Sequence, residues 1–177
     1  MQSLIKQNGV RVTNNNAHEM NPISTRYLVA DYLNYRLQKS NFQWPGCPPL
    51  ESPSKIHNVL HTLSDEFEKR YSRDFDSQLQ ITASTAYSTF IEVAQELFKD
   101  GINWGRIVAL FTFGGSMAVE CMIKQLEHLV DSIYDWVSTY ITENLEGWIS
   151  NHNGWVSLRE ATGLNLLNLS LLSIHVI

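Results

Sequence analysis

The sequence is short of charge, of cysteine and of long apolar runs. Asp, Glu, Lys and Arg make up only 18% of the 177 residues, and the formal net charge is −5 with the signs mixed along the chain. A nucleic-acid binder would carry a basic face, so this balance argues against that class. The two cysteines, Cys47 and Cys121, are distant from each other. They make neither a disulfide framework nor a metal signature, and the usual reading of such a pair is reduced thiols in a cytosolic protein. Met1 to Asn21 lacks the apolar stretch of a signal peptide and is polar and Asn-rich. There is no glycine-rich phosphate loop and no nucleophile elbow. His57 and His61 stand four apart, as zinc ligands can on a helix, but no glutamate follows the first histidine. They read as surface histidines. No catalytic residue, metal or cofactor is nominated, and the chain is not expected to be an enzyme.

What the chain does have is 44% hydrophobic residues, ample for one core in a single domain. Four of its five prolines fall between Asn41 and Pro53, with Gly46, and mark one short loop. The rest reads as helices. Thr25 to Lys39 carries Leu28, Tyr32 and Tyr35 at helical spacing, with Asp31, Asn34 and Arg36 between them and Ser24 or Thr25 as cap. Ser54 to about Tyr71 places Ile56, Leu60, Leu63 and Phe67 in one stripe, with Ser54 at the N-cap. Phe75 to Gln80 is a short helix or turn. Ser84 or Thr85 opens a helix that ends near Lys99, with Tyr87, Phe90 or Ile91, Ala94 and Leu97 inward. Asp100-Gly101 stops it, since glycine takes the left-handed cap without strain.

Ile107 to Val119 holds no charged residue. A helix apolar all round is buried on all sides, and this run is shorter than the about 20 residues of a membrane span. Gly114-Gly115 lowers helix propensity by ~1 kcal/mol per glycine against alanine, so another helix is expected to pack very close there. Ile123 to Ile141 is amphipathic again. Glu143 to Ser150 and Gly154 to Ala161 read as short helices, with Trp148 and Trp155 as core anchors. The organisation is a flexible leader at 1–22, an all-α domain of about eight helices around a central hydrophobic one at 23–163, and an apolar tail at 164–177. The tail is too short to span a membrane. It fits a truncated anchor, a segment folded into a groove, or one lying on a membrane surface.

Four segments in order resemble the Bcl-2 family of apoptosis regulators. Glu96 to Gly115, with Asn103-Trp104-Gly105-Arg106 at its heart, is similar to the family's first homology motif. Trp148 to Trp155 is similar to the second, with Asn153 in place of the first of two glycines. Leu60 to Phe67 resembles the third, with Ser64 where glycine is usual before Asp65. Tyr27 to Leu37 resembles the N-terminal motif. Phe113-Gly114-Gly115 and the N-terminal motif look like the pro-survival branch, with a pore-forming pro-apoptotic effector of the same fold as the alternative.

The resemblance implies a function in binding rather than catalysis. A surface groove would hold the amphipathic death-motif helix of pro-apoptotic relatives, through apolar anchors and one aspartate. By position the groove is Arg106, Asn103, Phe67, Tyr71, Phe75, Val93, Leu97, Ala109 and Phe113. Arg106 would grip the ligand aspartate with two parallel hydrogen bonds, and Asn103 would bond the same polar stretch. The implied place is the cytosolic face of the mitochondrial outer membrane or endoplasmic reticulum, with peripheral or anchored membrane association. The 75–83 stretch is shorter than is usual in the survival branch, which bears on partner selectivity.

Overall fold

A computed structural model describes residues 23–50, 52–75 and 80–161, the side chains of 71–75 and 161 excepted. Among these residues the fold is all-helical: α1 (Thr25–Lys39), α2 (Lys55–Phe75), α3 (Ala86–Phe98), α4 (Trp104–Ile123), α5 (His128–Tyr140), a π-turn (Ile141–Leu145), α6 (Glu146–Asn151), a 3-10 turn (Gly154–Val156) and α7 (Ser157–Ala161). The leader, the tail and 76–79 lie outside the described residues.

The centre is α4. It packs against α1, α2, α3 and α5, and Ile107 through Ala118 are buried without a break. An uncharged helix has no face that gains from water, so every neighbour lays its own apolar stripe on it. At 20 residues α4 runs beyond the uncharged stretch at both ends. It is long and apolar enough to cross a membrane, but 72% of its most apolar span is buried inside the fold.

The two glycines set how near the flanking helices come. A Cβ on Gly114 would stand 2.9 Å from Val137 Cγ2 of α5, and one on Gly115 2.9 Å from Arg36 Cγ and 3.1 Å from Tyr32 Cε1 of α1. The close approach expected from the sequence is therefore real, with a helix on each side. Gly115→Val is expected to destabilise the protein by about 1–3 kcal/mol, because α1 must be pushed away from α4. A lowered urea midpoint checks it, and an unchanged midpoint would show that α1 can shift freely.

Several expectations from periodicity are corrected. Helix α1 is buried nearly all round, Asp31 and Arg36 included, at 9% exposure each. It is wedged among α2, α4 and α5, so its polar residues are paired inside. Ser24 sits at its N-cap but its hydroxyl does not cap. Tyr87, expected inward, is 55% exposed; it rests on the edge of Trp136 of α5. The helix read from Ile123 begins at His128, and Ile123 ends α4 at 60% exposure. The break is a chain reversal in which Leu126 N–H donates to Cys121 O (2.8 Å) and Gln125 N–H to Met122 O (3.2 Å). Gln125 lies at φ 60° to close it. Glutamine is not a usual left-handed cap, so the sequence hid this stop. Asn41 closes α1 the same way, at φ 62°.

The proline loop is fastened to the body. Trp44 is buried, its Nε1–H donates to Asp131 Oδ1 of α5 (2.6 Å), and a Cβ on Gly46 would overlap that carboxylate at 2.2 Å. Both thiols are free. Burial pushes Cys121 up to about 11, which keeps it protonated and inert.

Candidate functional site

Helix α3 ends at Phe98, and Gly101, whose φ is 105° and whose N–H donates to Phe98 O, turns the chain toward α4. Asn103 caps α4: its Oδ1 accepts from Arg106 N–H at 2.9 Å. The cap aims the first turn so that the Arg106 side chain folds back over the α3–α4 corner. Its Nη1–H donates to Gly101 O (2.7 Å), and Nη2 stands 3.7 Å from Asp100 Oδ2. The Arg106 side chain is 12% exposed and that of Asp100 68%. The guanidinium is thus largely buried, held by one backbone acceptor and by one exposed carboxylate at a looser distance. That second partner is the ordinary reading of a helix-end arginine, and it leaves donors for an incoming carboxylate.

The apolar positions come from three helices. Phe67 lies on α2, Val93 and Leu97 on α3, Ala109 and Phe113 on α4, and α2 and α3 both pack on α4. All five are buried, Val93 being the least so at 9%. In this structure all five belong to the hydrophobic core and line no exposed surface. Tyr71 and Phe75 fall on the last turns of α2, where no side chain is described, so their part in a groove lies outside the described residues. Asn103 is exposed, and since its oxygen is spent on the cap, only its amide nitrogen remains for a ligand.

The segment carrying the third motif is bound firmly to α1. Asp65 accepts from Tyr35 Oη–H (2.7 Å) and from Lys39 Nζ (2.6 Å), and Glu68 pairs with Arg36 Nε (2.5 Å) and Lys39 Nζ (3.7 Å). Burial alone would raise Asp65, but the bonds from Lys39 and Tyr35 outweigh it and leave it below its ordinary value. Asp65 is therefore an ion-pair residue joining α1 to α2. Ser64 is fully buried, which explains why only a small residue serves there.

The two histidines are not surface residues, against the sequence reading. His57 is 2% exposed, and His61 stacks on the Tyr35 ring at 3.8 Å while its Nε2 meets Asp31 Oδ2 at 2.7 Å. Both turn toward α1 because α2 lays that side of its helix on it. Among the described residues no group of three or more His, Cys, Asp and Glu could hold a metal ion.

The second-motif segment closes the bundle. Trp155 is buried, its ring edge-on to Phe111 of α4, and its Nε1–H donates to Thr25 Oγ1 (3.2 Å), which in turn donates to Glu146 Oε2 (2.9 Å). Trp148 is half-buried and meets Trp104 edge-on. Asn153 and Gly154 sit at φ 64° and 66°. Asparagine is among the few residues with a side chain that adopt this region readily, so the exchange of the motif's first glycine leaves the turn intact. Sequence reasoning missed Trp44, Asp131, Gly101 O and Asp100 as positioning groups; only Asp100-Gly101 gave a local signal, as a helix stop.

A family model for apoptosis regulator proteins of the Bcl-2 family matches residues 60–155. The chain is 47% identical to human (Homo sapiens) Bcl-2-like protein 1 over 80% of this chain and 84% of that protein. It is 34% identical to Bcl-2-like protein 1 of Rattus norvegicus over the same shares. It is also 43% identical to apoptosis regulator Bcl-2 of Gallus gallus, over 66% of this chain and 53% of that one. With the central apolar helix and the four ordered motifs, these likenesses establish that the chain belongs to the Bcl-2 family of apoptosis regulators.

Proposed function

We propose that the protein is a pro-survival regulator that sequesters the amphipathic death-motif helix of pro-apoptotic relatives, in a groove along α2, α3 and the start of α4. The observation that carries this reading is Arg106: a cation 12% exposed at the start of α4, beside the Asn103 cap, with Gly101 O and one loose carboxylate as its partners. A ligand aspartate would displace Asp100 and take two parallel bonds, and Asn103 would offer its amide nitrogen. Phe67, Val93, Leu97, Ala109 and Phe113 would supply the walls once α2 or α3 moves off α4, with Tyr71 and Phe75 extending them. The likeness to Bcl-2-like protein 1 across four fifths of the chain supports the survival branch. The proposed station is the cytosolic face of the mitochondrial outer membrane or endoplasmic reticulum. Titration calorimetry with death-motif peptides is expected to give sub-micromolar binding; absence of binding across a panel would end the reading.

A second reading, a pore-forming effector, draws on the length and apolarity of α4. It would release dye from liposomes after activation, and the survival protein would suppress such release.

A further inference from the structure

The first turn of α2 is closed by a histidine. Ser54 precedes Lys55 at the N-cap, and its Oγ accepts from Ile56 N–H (3.3 Å). Three residues on, His57 reaches back and its Nδ1 accepts from Ser54 N–H (2.9 Å). This is close to a capping box, in which glutamate or glutamine ordinarily fills the third position, except that the Ser54 hydroxyl takes the N–H of the second helical residue rather than the third. A backbone N–H can only donate, so Nδ1 is an acceptor and the neutral ring carries its proton on Nε2. That Nε2–H is buried with no hydrogen-bond partner among the described residues.

We infer that this Ser54–His57 box is an acid-sensitive latch, which holds the start of α2 against α1 while the ring is neutral and lets go when the ring takes a second proton. The incoming proton must sit on Nδ1, where Ser54 N–H already points. Ser54 Oγ, 2.8 Å away, can receive the new donor, but then the Ser54 N–H loses its acceptor. The ring also becomes a cation at 2% exposure with Nε2–H still unmatched.

The charged and titratable groups around it are few. Tyr27 of α1 packs edge-on at 5.1 Å between ring centroids. Asp31 of α1 favours the cation, but its carboxylate is already bonded to His61, which opposes it. Burial is the largest influence and, with His61, holds His57 below its ordinary value against Asp31 and the Ser54 backbone bond, both of which favour the cation. A group lowered on folding stabilises above its unfolded value, and that stabilisation is lost as pH falls through the folded one. The loss therefore begins near pH 6.5 and deepens below it, whereas Asp65 titrates below 3.8 and leaves this window clear. The inference stands independently of the groove.

The test is nitrogen-15 NMR of the full chain with amide exchange from about pH 7.5 to about pH 5. At the upper pH His57 is expected as the Nε2–H tautomer. The Ser54 and Ile56 amides are expected to lose protection roughly fivefold on acidification, the scale of one helix cap. His57→Gln supplies a neutral acceptor at the same place and should abolish the loss, while His61→Gln should keep it. An Nδ1–H tautomer at the upper pH, no loss across the range, or an equal loss in His57→Gln would each overturn the latch. Should the glutamine variant fail to fold, the tautomer and exchange data on the native chain decide alone.

Discussion

Arg106→Ala is expected to weaken binding of a death-motif helix by roughly 2–5 kcal/mol, a loss of about thirtyfold to several thousandfold in affinity. The size follows from where the guanidinium sits. An ion pair on open surface contributes about 0–1 kcal/mol, because water screens it and two long side chains must be ordered. Here the arginine is 12% exposed and already held by Gly101 O, so little order is lost on binding, and removing it leaves the ligand carboxylate buried and unmatched. Arg106→Lys keeps the charge but not the fork, and should fall between the two. Calorimetry against one peptide checks the series, with thermal melts to show that the fold is kept. The Asn103 cap depends only on the Arg106 backbone N–H, so α4 should stay capped in both variants. Equal affinity for the native protein and Arg106→Ala would remove the role given to this residue while leaving family and fold untouched.

Trp155→Ala is expected to destabilise the protein by about 3–5 kcal/mol, the range for truncating a large buried aromatic. The ring packs on Phe111 and Trp104 and its N–H begins the relay through Thr25 to Glu146. Its loss opens a cavity beside α4 and frees the start of α1 from the end of the bundle. Trp155→Phe separates the two contributions: most of the apolar area stays, and the cost should drop to about 1 kcal/mol, the net value of one hydrogen bond. Urea unfolding of the three proteins measures both. Similar midpoints for all three would show that the closing segment is not coupled to the core.

Much of the fold was legible because the signals are local. The bounds of α1 were read directly, since the proline-rich stretch from Asn41 to Pro53 follows it. The burial of α4 followed from the absence of charge, and the tight helix crossings followed from Gly114 and Gly115. Family membership was legible in short strings such as Asn103 to Arg106. The errors share one cause. Tyr87, His57, His61, Asp31 and Arg36 were assigned to solvent or core by residue type and period, yet each is placed by a residue from another helix. The stop at Gln125 was hidden because three backbone bonds, not a side-chain preference, hold it in a left-handed conformation.

By itself the sequence determined an all-helical domain, an uncharged central helix, the helix stops that use glycine or proline, and the family to which the chain belongs. These rest on periodicity, propensity and motif, which act over a turn or two of chain. The tertiary structure decided which partners the charged residues take: Asp65 with Lys39 and Tyr35, Arg106 with Gly101 and Asp100, His57 with Ser54 against Tyr27. The pairings of Asp65 and the contact with Tyr27 join segments far apart in the chain, and those of Arg106 and His57 depend on how a helix start is turned by its surroundings. Burial then fixes their strength, since the same charge counts for little in water and for much beside a helix core.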